Sequence, residues 1–230
     1  MNVKQTVLFN RIRLDKKPDC ESVFKELSQY RYTDANGIGI TAISMDESII
    51  DCTMLSKTPS SIKKYNSEED VLEDTVIDIF DEIHFCWDVE RSLIYSIGSA
   101  KRFPKIKLLL REVFQSKFTI ESLNFINNSL IDSIDTDVYH KFITDLHINK
   151  FLYGEDAYGR YYVHIANPKL GLELYETYHG NLSKIVISLE GHDSRIAPDF
   201  KLSISAKNSI SIECEEDKFD AILSFIKSLI

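Results

Sequence analysis

The sequence predicts an α+β fold, with antiparallel sheets and helices packed on one face of them. Three observations predict it. Stretches of alternating apolar and polar residues recur along the chain, separated by short turn signals. Amphipathic helical stretches are interspersed among them. A hairpin pattern followed by such a helix occurs at Glu82–Phe114 and again at Phe200–Ile230. The two copies share a pattern and not residue identity, so duplication of a hairpin–helix module is an option that the pattern alone leaves open.

Taken in order, Val3–Leu14 alternates as a strand, with Val7, Phe9 and Ile12 as core candidates. Pro18-Asp19 opens a helix to about Tyr30 that places Val23, Phe24 and Leu27 on one face. Asp34–Gly37 is a turn, and Gly37–Asp46 and Ser48–Ser56 pair as strands about Asp46-Glu47. Thr58–Asp70 is polar and reads as a flexible loop. Glu68–Glu82 carries Val71, Leu72, Val76, Ile77, Ile79 and Phe80 without a decisive period, so helix and strand both stay open. Ile83–Val89 and Ser92–Ile97 form a hairpin about Glu90-Arg91. Gly98-Ser99 then leads into a helix over Ala100–Gln115, with Pro104 in the first turn, where no amide donor is needed.

Phe118–Phe125 is a strand candidate, and Thr136-Asp137 caps a helix through His147. Lys150–Gly159 is a turn-rich connection, which divides the chain into an α+β domain at 1–150 and a smaller one at 151–230, unless the two are continuous. Tyr161–Ala166 is a short strand. Asn167-Pro168 caps a helix ending at Gly180. Leu182–Leu189 is a strand, Gly191–Pro198 a loop, and Phe200–Ala206 with Ser209–Cys214 a hairpin. The last helix begins near Glu215 with acids in its first turn. It sets Phe219, Ile222, Leu223, Phe225, Ile226 and Leu229 toward the core.

Composition narrows the function classes. With 230 residues and 43% apolar content, the chain can bury a core without disulfides or metals. No apolar run approaches the ~20 residues that span a bilayer. Met-Asn-Val-Lys-Gln-Thr lacks the apolar stretch of a signal peptide. Cys20, Cys52, Cys86 and Cys214 form no Cys-x-x-Cys pair, which argues against zinc-ribbon and thioredoxin chemistry. They read as reduced structural thiols, neither paired nor catalytic, in a cytoplasmic protein without a cofactor. A net charge of −9 opposes whole-molecule attraction to nucleic acid or to an anionic membrane.

Local motifs offer little reaction-specific chemistry. Gly37-Ile-Gly39-Ile-Thr-Ala42 matches the dinucleotide fingerprint, but it runs into a β-prone segment rather than opening a helix. No Walker A sequence is present. His84, Cys86 and Asp88 are spaced by two, so a strand sets all three on one face; side chains so spaced point in parallel, and a metal would need ligands from another element. His140 and His147 fall on the helix predicted to end at His147, two turns and roughly 10 Å apart, too far for one zinc. Asp132, Asp135 and Asp137 lack the calcium-loop pattern. The loop Gly191–Arg195 is a binding candidate through His192 and Arg195. Six tyrosines between Tyr153 and Tyr178 suit an interface as well as a core.

The strongest candidate surface is the helix from Ala100. Lys101, Arg102, Lys105, Lys107 and Arg111, followed by Lys117, form a basic island in an acidic chain. Such a patch suits a phosphate backbone or an acidic protein surface. Around it, Phe85-Cys-Trp-Asp-Val-Glu-Arg-Ser-Leu-Ile-Tyr95, then Gly98-Ser-Ala-Lys101 and Leu108-Leu-Leu-Arg111, is similar to a segment of the bacterial RdgC proteins. That resemblance covers about thirty residues of a hairpin–helix and implies sequence-independent DNA binding in a ring; the acidic charge departs from that expectation.

The functional expectation is a non-catalytic intracellular accessory protein that acts on a protein partner or as a homo-oligomer. A composition rich in Ile, Asn, Lys, Ser and Tyr and poor in Gly and Pro suits an AT-rich bacterial or phage genome, and this bias together with the absence of housekeeping motifs is associated with a mobile-element or antiviral-defence setting. The alternative is a nucleic-acid-binding component that uses helix 100–117, and the third reading is a divergent nuclease.

Overall fold

A computed structural model describes residues 1–15, 19–68, 70–115, 117–126, 130–153, 157–193 and 196–230. Strands dominate, the registered strand pairs are antiparallel, and four α-helices accompany them. Contacts divide the chain into two compact units. One is Arg11–Glu121; the other joins Met1–Asn10 to Ser122–Ile230.

Within Arg11–Glu121, the end of β1 (Asn2–Leu14) leads to α1 (Cys20–Gln29), β2 (Ile38–Asp46), β3 (Ile49–Asn66), β4 (Val71–Asp88), β5 (Leu93–Ile97), α2 (Phe103–Phe114) and β6 (Phe118–Ser122). The strands β2-β3-β4-β5 are neighbours in that order. Local chemistry sets the boundaries. The Asp19 carboxylate accepts the Ser22 amide at 3.2 Å and caps α1. Glu47 and Ser92 take positive φ in the two hairpin turns, and left-handed Gln115 ends α2. Gly39 has a separate reason. A Cβ there would stand 2.4 Å from the Tyr32 amide nitrogen, because the chain leaving α1 bridges β2 at Arg31 and Ile40. The glycines at 37–39 therefore serve a turn and a close backbone approach, not a phosphate.

Alternation in β3 and β4 builds this unit's core. Ile50, Cys52 and Met54 point inward, as do Ile83, Phe85 and Trp87 on the neighbouring strand. They pack with Val23 and Leu27 of α1 and with Phe103, Ile106, Leu109, Leu110 and Phe114 of α2. Trp87 meets Phe114 edge to face at 5.6 Å. The other face of the same strands carries Asp51, Thr53, His84, Cys86 and Asp88.

In the second unit, the strand order is β1-β11-β10-β9-β7-β8, with β7 (Tyr139–Tyr153), β8 (Ala157–His164), β9 (Leu182–Gly191), β10 (Phe200–Ser205) and β11 (Ser209–Glu215). Two helices, α3 (Pro168–Tyr178) and α4 (Phe219–Ser228), complete it. Ile185, Ile187, Leu189, Leu202, Ile204, Ile210 and Ile212 are fully buried. α4 buries Phe219, Ile222, Leu223 and Ile226, while Phe225 and Leu229 stay half-buried. Each hairpin–helix module exists as read: β4–β5 reaches α2, and β10–β11 reaches α4, through one 3-10 turn apiece.

Three expectations are corrected and one open reading is closed. Thr58–Asp70 is not a loop, because β3 continues to Asn66 and pairs residue by residue with β4. Glu68–Glu82, open between helix and strand, is strand from Val71 onward. Thr136–His147 is not a helix; it enters β7, so His140, Asp145 and His147 lie on a strand. The reason is a bulge. The register against β9 shifts between Ile143 and Asp145, so Tyr139, Ile143 and Leu146 are buried at spacings of four and three, which imitate a helical face. The turn-rich connection expected at Lys150–Gly159 is likewise occupied by strand up to Tyr153 and from Ala157.

Candidate functional site

Exposed large apolar side chains are concentrated on the β3–β4 hairpin. Its ladder runs from Ile49 opposite Asp88 to Asn66 opposite Val71. β2 follows β3 only as far as Ser56, and β5 follows β4 only from Phe85. Beyond Lys57 and its partner Phe80, the hairpin is therefore a two-stranded arm, about 30 Å long at the rise of a strand. Ile62, Tyr65, Val71, Leu72, Val76, Ile77, Ile79 and Phe80 are all exposed on it, Val76 to 68%. Both faces carry some of them, since Leu72, Val76 and Phe80 alternate with Val71, Ile77 and Ile79.

Its two strands differ in charge. Lys57, Lys63 and Lys64 lie on the β3 side, and Glu73, Asp74, Asp78, Asp81 and Glu82 on the β4 side. Cross-strand contacts use part of this charge. Lys57 approaches Asp78 at 3.6 Å, Asn66 donates to Glu73 at 2.8 Å, and Tyr65 donates to Asp70 at 2.5 Å. Pro59 interrupts the amide donors of β3, as is tolerated on an edge strand.

The basic helix meets this arm at one residue. Lys105 forms an ion pair with Asp81 and donates to Thr58 Oγ1 at 3.1 Å. The hydrogen bond from Lys105 to Asp81 and the ammonium charge hold the Asp81 carboxyl below its ordinary range. Lys101, Arg102 and Arg111 are exposed and Lys107 is half-buried. Lys105 is thus spent on the hairpin, and the basic island is smaller than its sequence suggests. His192 belongs to the other unit, where its Nε2 lies 3.0 Å from the Thr136 carbonyl and its ring 3.9 Å from that of His140. Arg195 lies outside the described residues.

No family model and no curated protein matches this chain. What it does must be read from its own geometry.

One polar cluster was only half legible in sequence. His84 and Cys86 share a face of β4, as their spacing implies, and the third residue that joins them is Asp51 on β3. Asp51 Oδ1 lies 2.7 Å from His84 Nε2, and Cys86 Sγ donates to Asp51 Oδ2 at 3.5 Å. All three donor atoms lie within 4.8 Å of one another. Asp88 does not join them; it accepts the Arg91 amide at 3.0 Å and holds the β4–β5 turn. Tyr95 faces Cys86 across β5. Burial and the adjoining Cys86 push the Tyr95 phenol far above its ordinary range, so it stays a hydrogen-bond donor.

The remaining histidines are tied to local partners. His164 Nδ1 lies 2.9 Å from Asp145 Oδ1 across β7–β8, and Asp145 also accepts from Thr144. His147 packs edge-on against Tyr162 at 4.4 Å, with burial holding its imidazole below the usual range.

Proposed function

We propose that this chain is a non-catalytic accessory protein that works by protein–protein contact through the β3–β4 arm. The observation that carries the reading is the set of eight large apolar side chains exposed over both faces of a two-stranded ribbon. An isolated hairpin is marginal in water, and a contiguous exposed apolar surface marks a contact site. The ribbon also offers open backbone edges, to which an extended segment of another protein can add as a strand.

The outer edge of β4 suits this better than that of β3. Val71–Glu82 contains neither proline nor glycine and intersperses pairs of apolar residues with acidic ones. The complementary partner is an extended segment that mixes apolar residues with Lys and Arg. Antiparallel pairing of β4 with β4 of a second copy would set acids against acids, which disfavours self-association along that edge. The setting we propose is intracellular, in a bacterial or phage mobile-element or antiviral-defence context. No helix among the described residues is long and apolar enough to cross a membrane.

A second reading, nucleic-acid binding through Lys101, Arg102, Lys107 and Arg111, draws on exposed charge around α2. It ranks lower because Lys105 is neutralised and the neighbouring arm is acidic.

The test uses a photoreactive side chain at Val76 to trap the partner in the native host, followed by binding of the purified pair. Val76→Asp with Phe80→Asp should weaken that binding by at least about tenfold, as expected for central apolar contacts. Lys101→Glu with Arg102→Glu should leave it nearly unchanged. The opposite ranking, with log affinity falling steeply against log salt, would favour nucleic acid and overturn the arm as the working surface.

A further inference from the structure

We propose that Asp51, His84 and Cys86 form a binding site for a zinc-class divalent cation on the solvent-side face of the β3–β4 ladder. The proposal goes beyond protein contact and does not depend on it.

Geometry comes first. Asp51 stands directly opposite Cys86 in the ladder, and His84 lies two residues before Cys86 on the same face. The pairing supplies the convergence that β4 alone lacks, because β3 brings its carboxylate between the imidazole and the thiol. Zinc bonds of about 2.0–2.3 Å set tetrahedral donors about 3.3–3.8 Å apart. Asp51 Oδ2 lies 3.5 Å from Cys86 Sγ and Oδ1 lies 2.7 Å from His84 Nε2, and all three donor groups lie within 4.8 Å, so a metal needs the carboxylate and imidazole to turn about it. His84 and Asp51 are exposed flexible side chains that can make that adjustment on a rigid pair of strands.

Donor chemistry selects the cation class. One sulfur, one nitrogen and one oxygen suit a borderline metal such as zinc or cobalt, and a thiolate ligand disfavours magnesium and calcium. Cys86 is buried, while the side chains of His84 and Asp51 keep 49% and 45% of their exposure. Three ligands are thus in place and the fourth position faces water. Tyr95 stands opposite Cys86 in the β4–β5 ladder, on the same face, where its hydroxyl can give outer-shell support to a thiolate.

Cobalt(II) titration tests the site on the whole protein, read by the charge-transfer absorption of a cobalt–thiolate bond and by zinc competition. One equivalent should bind with that absorption. Cys86→Ser should abolish the band. His84→Ala and Asp51→Asn should each weaken binding by at least about tenfold, since even outer-shell changes cost 10–100-fold. Cys20→Ser, a half-buried thiol elsewhere, should change neither reading. His84 is exposed, so its variant folds even if Cys86→Ser does not, and a thermal melt of the metal-free proteins verifies this. Wild-type affinity in the His84 and Asp51 variants, or loss of the band in Cys20→Ser, would overturn the proposal.

Discussion

Lys105 on α2 grips Asp81 on β4 at the point where the two-stranded arm leaves its packed unit. On β4, Val71–Phe80 are exposed apart from half-buried Thr75, and the residues after Glu82 enter the core at Ile83. This one ion pair therefore marks the border between the free and the packed parts of the hairpin.

The pair gives a pH dependence with a definite sign. Lys105 lowers the folded-state pKa of Asp81, so its contribution is present above the ordinary aspartate range and is lost as pH falls through the lowered native value. Wild type should melt above Asp81→Asn at neutral pH, and the two melting curves should converge in acid. A difference that grows on acidification would refute the assignment. Amide exchange at Thr58 and Ile79 should quicken in the variant, because the arm's root loses its tether.

Changes on the arm should separate binding from stability. Val76 and Phe80 are exposed, so Val76→Asp and Phe80→Asp should each alter stability by no more than about 0.5 kcal/mol. Denaturant midpoints measure this directly. A large loss in either variant would mean that the ribbon is held by packing rather than left open for a partner.

The C-terminal helix should behave in the opposite way. Ile222 and Ile226 are 1% and 0% exposed, and truncating either to alanine should cost about 2–5 kcal/mol. Urea unfolding is the measurement. Deleting Asp217–Ile230 removes four buried side chains of α4 together and should abolish soluble folding. A truncated protein that unfolds cooperatively at the wild-type midpoint would contradict this.

Gly39→Ala should destabilise by roughly 1–3 kcal/mol, because the new methyl meets Tyr32 backbone rather than a side chain that can move. Gly159→Ala, where nothing lies within 4 Å, is the control and should be near neutral. Equal midpoints for the two variants would remove the close-approach explanation.

The fold was legible wherever one face of an element is buried without interruption. β10, β11 and α4 show this, since their apolar residues keep one period from end to end. It failed in β7, where a bulge at Thr144 changed the phase of the pattern and produced helical spacing. It failed also in the outer half of β3, where neither face is buried and polar residues carry no alternation to read. Of the polar cluster, the spacing of His84 and Cys86 was visible. Asp51 was not, because it is joined to them by cross-strand register rather than by proximity in the chain. The full extent of the hairpin, read as one strand pair about its tip, would have placed Asp51 opposite Cys86.

Strand β1 has a temporal consequence. Its first residues, which include fully buried Val7 and Phe9, pair with β11, Val3 lying opposite Cys214. Arg11–Glu121 can close as soon as Glu121 has left the ribosome. The stretch ahead of it cannot, because β11, its partner strand, is translated about 200 residues later. At about 5–20 residues per second, that apolar segment goes unpaired for on the order of ten to forty seconds per molecule made. A nascent chain of this sequence should therefore recruit holdase chaperones to this segment, and ribosome profiling of chaperone-bound chains should show them released only after β11 emerges.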